Sequence, residues 1–137
     1  MSHQITYRIE HRYQSLKGGI SIPTILTVGS RSADCIAKVD TGAEYCLFQR
    51  GLAERLGLKL EDGHRTTLES LTGVFTAYGH EVTLQTLDIA FDVTVYFAAD
   101  YEVSRNLLGR HGWLQQVRLG LNDYDEILYL SACDDLP

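Results

Sequence analysis

The chain has 137 residues, 45% of them hydrophobic, and a formal net charge of -6, which is enough for one compact domain with its own core and too little for two. Its 12 Lys and Arg are scattered rather than gathered into a stripe, which argues against a phosphate-binding surface and a nucleic-acid partner. No stretch approaches the roughly 20 apolar residues of a membrane span, and the charged, alternating residues 1–12 are unlike a secretory apolar run, so the expectation is a cytoplasmic protein with no membrane partner.

In chain order, Ile5, Tyr7, Ile9, His11 and Tyr13 alternate with Thr6, Arg8, Glu10 and Arg12, the two-residue period of a strand with one buried face. Gly18 and Gly19 interrupt the pattern. Ile20, Ile22, Thr24, Leu26 and Val28 resume it as far as a turn at residues 29–32. A third strand sets Cys35, Ala37 and Val39 on one side and ends at Asp40. After Phe48 the rhythm changes: Leu52, Ala53 and Leu56 share a helical face, Arg50 and Glu54 stand four apart, and Gly57 is placed to end a helix of about two turns. Residues 66–70, 74–79, 82–87 and 89–97 return to strand, with Leu71, Thr72 and Gly73 as a hairpin tip between the first two. A second short helix is predicted over 110–116, followed by a strand at 117–121, an Asn122-Asp123 turn and a strand at 127–130. Short strands at regular spacing predict a single all-β domain over residues 1–137, a partly closed barrel.

Cys35, Cys46 and Cys133 are odd in number and form no C-x-x-C pair, and the five histidines, His3, His11, His64, His80 and His111, show no H-E-x-x-H spacing. Reduced thiols and ordinary histidines are expected, with no metal and no cofactor.

The sharpest local feature is Val39-Asp40-Thr41-Gly42-Ala43, an acid placed where an apolar strand runs into a glycine turn. Such a carboxylate projects from a rigid edge, the glycine permits a sharp turn and close approach, and the Thr41 hydroxyl can lock the loop. Asp, Thr and Gly are also common turn residues, and this tripeptide arises by accident in on the order of one chain of this length in thirty. A second feature adds weight: Asn106-Leu107-Leu108-Gly109, an apolar pair closed by glycine, ahead of the second predicted helix.

Together the two segments resemble the retropepsin-like aspartic proteases, the retroviral-type single-domain family. Residues 37–43 are similar to that family's active-site strand and loop, residues 105–109 to the later motif that threads behind the loop, and a hairpin bearing Gly73 lies between them where the family has its flap. The resemblance covers about residues 20–121 and implies a partly closed barrel with a flap hairpin and one or two short helices.

It also implies an aspartic endopeptidase. One Asp-Thr-Gly per chain supplies one carboxylate, whereas peptide hydrolysis by activated water needs one group to take a proton and another to give one. A two-fold homodimer would bring two Asp40 side chains together, and carboxylates that close cannot both ionise, so they share a proton. The Thr41 hydroxyls would interlock beneath the pair, and Gly42 would offer its carbonyl to the substrate. Ser70, Leu71, Thr72, Gly73 and Val74 would fold over an extended peptide as a flap, Leu107, Leu108 and Gly109 would support Ala43 and the rest of the loop from behind, and Glu44 with Arg105 would form a bracing ion pair. Chain ends are expected in the dimer interface, either the strand at 5–13 or the hairpin at 117–130, with the hairpin favoured because one face is too apolar for an open edge. Dimerisation, rather than removal of a blocking segment, is the expected control. The same fold can also serve as a catalytically inactive dimer that binds peptide or protein.

Overall fold

The computed structural model describes residues 1–70 and 73–135. Its strands are β1 (Ile9–Arg12), β2 (Ser21–Val28), β3 (Arg31–Val39), β4 (Leu47–Phe48), β5 (His64–Ser70), β6 (Gly73–Thr86), β7 (Ile89–Ala98), β8 (Leu107–Leu108), β9 (Val117–Asn122) and β10 (Ile127–Ala132), with one α-helix, α1 (Arg50–Arg55), after β4. The main sheet has 7 strands in the order β2-β3-β8-β4-β7-β6-β5, and an extra pairing of β2 with β6 curls it into a barrel. A 3-stranded sheet, β1-β10-β9, contributes Leu128 and Leu130 to the same core. This is the all-β, partly closed architecture that the alternating pattern predicts.

Alternation becomes burial. Along β2, Ile22, Thr24 and Leu26 are buried while Pro23 and Ile25 face out, and the Thr24 hydroxyl is satisfied by the Ile22 carbonyl at 3.1 Å. One core joins both sheets: Ile22, Leu26, Phe48, Phe97, Leu108 and Trp113 pack in the same cluster as Leu128 and Leu130. Each such side chain contributes about 1.5–3 kcal/mol by leaving water. A smaller cluster, Leu47, Ala77 and Ala98, packs with Leu68, Phe75, Val103 and Leu107 beneath the β5–β6 hairpin.

Three local expectations change. The first strand is only Ile9–Arg12, because Ile5 stands 63% exposed and has no partner strand. The strands expected at 74–79 and 82–87 are one 14-residue strand, since His80 and Glu81 stay in register with Val95 and Thr94 of β7 and nothing breaks the ladder. The second helix shrinks to a 3-10 turn, Leu114–Gln116. Gly112 takes a φ of +103°, and Trp113 leaves helical geometry to bury its ring, with Nε1 donating to Thr86 Oγ1 at 3.1 Å. The first helix forms as expected: Leu52, Ala53 and Leu56 are buried, and Gly57 follows it with a φ of +73°. No described helix is long and apolar enough to cross a membrane.

Candidate active site

Asp40 stands where β3 runs out, and its backbone is fixed by β8. Lys38 and Val39 pair in parallel with Leu107 and Leu108, and the next amide, that of Asp40, donates to the Leu108 carbonyl at 3.0 Å. The loop then turns on its own acid: Gly42 N–H donates to Asp40 Oδ1 at 3.0 Å, and Ala43 N–H to the Asp40 carbonyl at 3.2 Å. Asp40 is half-buried, whereas Thr41 and Gly42 are exposed. One carboxylate oxygen is therefore occupied by the loop, and Oδ2 has no hydrogen bond among the described residues.

The far side of the loop is held by the segment after β8. Arg110 N–H donates to the Ala43 carbonyl at 2.9 Å and His111 N–H to the Glu44 carbonyl at 2.8 Å. Leu108 and Gly109 are buried and Leu107 half-buried. Gly109 leaves no room for a side chain, because a Cβ there would stand 2.3 Å from the Tyr45 carbonyl oxygen and 2.8 Å from that of Ala43. Its N–H points at Cys46 Sγ, 3.4 Å away, and burial pushes this thiol up to about 12 although that N–H acts the other way. Leu107, Leu108 and Gly109 thus lie directly behind the loop.

Other sequence expectations fare differently. Ser70 and Gly73 end the two hairpin strands as a register pair, with Ser70 Oγ donating to the Gly73 carbonyl at 3.2 Å. Val74 is exposed beside them. Leu71 and Thr72, at the expected tip, lie outside the described residues. Thr41 makes no side-chain hydrogen bond among the described residues. Glu44 and Arg105 do not pair: the ion pairs among the described residues use Arg8, Arg12, Arg50 and Arg55. Glu44 is instead drawn to its neighbour Tyr45, whose hydroxyl it pushes above the usual phenol range, with burial adding to the effect.

Sequence reasoning missed the backbone clamp from Arg110 and His111 and the aromatic group beside it. Tyr45 packs on Tyr96 at 4.9 Å and on His111 at 5.5 Å between ring centres, and these three rings with Val93, Thr94 and Gly112 line a shallow cavity of about 210 Å³. Hydrogen bonds of the main chain have no residue signature, so no spacing pointed to them. The described residues contain no group of His, Cys, Asp and Glu suited to a metal ion.

A family model described as aspartyl protease matches residues 26–111, a span that contains the Asp40 loop, the β5–β6 hairpin and β8. No curated protein matches. Among solved structures, the EIAV protease in complex with the inhibitor HBY-793 aligns with a TM-score of 0.52 at 17% identity, covering 77% of this chain and 88% of that one. A retropepsin-like aspartic protease from Rickettsia conorii aligns with a TM-score of 0.57 at 15% identity, covering 81% and 89% respectively. At these identities the two structures establish a shared fold.

Proposed function

The chain belongs to the aspartyl protease family, and from that premise we propose that it is a homodimeric aspartic endopeptidase in which the Asp40 carboxylates of two copies activate one water. The observation that carries this reading is the half-site itself: one acid on a loop whose backbone is tied at both ends, with a single carboxylate oxygen left for chemistry. One such group cannot be both base and acid in the same step. A second copy related by a two-fold axis supplies the other, and the two acids share one proton between them. The ionised member takes a proton from water as the oxygen attacks the peptide carbonyl. The protonated member gives its proton to the carbonyl oxygen, and the resulting diol collapses with proton transfer to the leaving nitrogen. The whole chain acts as one domain, and residues 70–74 cover an extended peptide from above.

The same reading assigns the supporting residues. Leu107, Leu108 and Gly109 set the height of the loop, Ala43 ties it to Arg110, and Thr41, unpaired within its own subunit, faces its copy. The test is a comparison of peptide-library cleavage by the native protein and by Asp40→Asn, with binding of a pepstatin-like inhibitor alongside. Cleavage by the native chain that drops at least about a thousandfold in the variant is the expected result. No cleavage by either protein, with peptide binding retained, would replace the enzyme with a binding module of the same fold.

A further inference from the structure

The loop that carries Asp40 has two legs, one leaving β3 after Val39 and the other entering β4 at Leu47. Both legs are met by a single residue, Asn106, which immediately precedes β8. On the entry side Lys38 N–H donates to the Asn106 carbonyl at 2.8 Å. On the exit side Gln49 N–H donates to Asn106 Oδ1 at 3.1 Å. The carboxamide oxygen, and not its nitrogen, must face Gln49, because a main-chain N–H can only donate. Asn106 and Gln49 are both half-buried, so water competes poorly for this bond.

The exit-side bond forms where the sheet itself stops. β4 and β8 share one residue pair, Leu47 opposite Leu107, and past Phe48 the chain turns into α1. Gln49 is still extended, with φ -64° and ψ 145°, and the Asn106 side chain supplies the acceptor that a longer ladder would have supplied. Helix α1 is a fixed support, because Leu52 and Ala53 are buried in the main core. The helix also holds the start of the same segment: Arg50 Nη1 donates to the Ala99 carbonyl at 3.0 Å, and Nη2 donates to Glu61 Oε1 at 3.0 Å. Residues 99–106 are thus gripped at both ends by Gln49 and Arg50. Directly beyond them lies the pairing on which Asp40 rests, β8 against Lys38 and Val39, with the Leu108 carbonyl accepting from the Asp40 amide at 3.0 Å.

We propose that Asn106 is a positioning residue for peptide hydrolysis: its carbonyl and its carboxamide together fix the spacing between the two legs of the Asp40 loop, and with it the place of the carboxylate. As far as catalysis goes, the inference rests on the protease reading. The bond to Gln49 asks for an acceptor oxygen at one particular reach. Aspartate offers an oxygen at the same distance from the main chain, whereas alanine offers none. Without the acceptor, the half-buried Gln49 N–H is left unpaired and β8 is free to shift against α1. A shift of the loop by about 1 Å is enough to cost up to about a hundredfold in rate. The bonds from Arg110 and His111 to the Ala43 and Glu44 carbonyls keep the middle of the loop folded, so the carboxylate is displaced rather than the loop lost.

The experiment compares Asn106→Ala and Asn106→Asp with the native chain by peptide cleavage and by amide hydrogen exchange read residue by residue. Conditions are those in which urea unfolding shows each protein folded and cleavage per subunit no longer depends on concentration. Asn106→Ala should lower kcat at least about tenfold with KM within about twofold, and Asn106→Asp should restore most of the loss. The amides of Asp40 and Gly42, neither of which bonds to the replaced side chain, should exchange at least about tenfold faster in Asn106→Ala and return toward native rates in Asn106→Asp, while those of β10 stay unchanged. A general loss of stability would instead speed exchange throughout the core. Should Asn106→Ala not fold, Asn106→Ser takes its place under the same expectations. Unaltered exchange at Asp40 and Gly42, or a loss of cleavage that Asn106→Asp does not restore, overturns the positioning role and leaves the protease reading standing. A native protein that cleaves nothing overturns the protease reading, and exchange at Asp40 and Gly42 still decides whether Asn106 holds the loop.

Discussion

At Gly109 a Cβ would stand 2.3 Å from the Tyr45 carbonyl oxygen, whereas at Gly73 it would meet nothing within 4 Å and the only obstacle is a φ of +136°. The first glycine sits where two segments cross behind the Asp40 loop, and the second sits at the end of a hairpin reaching into solvent. Asp40, Ala43, Glu44, Arg110 and His111 are tied by main-chain hydrogen bonds at 2.8–3.2 Å, while Gly73 and Val74 are exposed and Ser70 Oγ donates across to the Gly73 carbonyl. The loop that carries the carboxylate is built on crossing backbone, whereas the hairpin proposed to cover a substrate is held by its strand pairing and by Leu68 and Phe75 packed on the small cluster at its base.

Substituting the two glycines separates these roles most sharply. Gly109→Ala forces the methyl into main-chain oxygens that cannot move without breaking the loop, so a loss of about 3 kcal/mol of stability is expected, together with loss of whatever cleavage the native protein shows. Urea unfolding followed by fluorescence of Trp113 provides the measurement. A variant with native stability and activity would show that the crossing is looser than its distances imply.

The packed region should also respond to pH in a way the hairpin does not. Cys46 lies against Gly109 and Gly112, and burial raises its thiol from 9.0 to about 12. Because the folded value lies above the unfolded one, the stabilisation is complete below pH 9.0 and is lost as pH climbs from there toward 12, at no more than about 1.4 kcal/mol per pH unit. Cys35, raised by burial to about 11, and Tyr13, raised to about 12 by burial and by Asp123, add to the same alkaline decline. Cys46→Ala should flatten the slope of unfolding free energy against pH in reducing buffer, and an unchanged slope would assign the decline to the other two groups.

Much of this contrast could be read before any coordinates. Asp40 to Ala43 was legible because an acid between an apolar strand and a glycine is a local pattern, and the alternation in β2 and β7 was legible because burial of one face leaves a two-residue period. Leu107, Leu108 and Gly109 gained meaning only through likeness to a family, since an apolar pair and a glycine have many uses. The clamp from Arg110 and His111 left no trace, because any residue but proline can donate those N–H groups. The helix expected at 110–116 failed for a tertiary reason: burying the indole of Trp113 and bonding it to Thr86 outweighs the weak helical preference of so short a segment.

At the hairpin a smaller effect is expected. Gly73→Ala places a methyl in open space, so only the backbone conformation resists it, at a cost of about 1 kcal/mol. Any change in peptide cleavage should appear mainly in KM, the hairpin being the proposed cover, and should leave the Asp40 loop unaltered. Equal losses in Gly73→Ala and Gly109→Ala would erase the distinction between a conformational glycine and a steric one.

The smallest expected effect concerns Glu44 and Arg105, which an attractive sequence argument joined as a brace. Both side chains are exposed, no ion pair joins them among the described residues, and the loop they were to brace is already secured by main-chain bonds from Arg110 and His111. Exposed charges that do not touch couple weakly through water and are screened further by salt. A double-mutant cycle on Glu44→Gln and Arg105→Gln, read as unfolding free energy at protein concentrations where the chain is monomeric, should give a coupling below about 0.3 kcal/mol. A coupling near 1 kcal/mol would mean that side chains share the restraint of the loop with its backbone, and the contrast between the two glycines would then be one of degree.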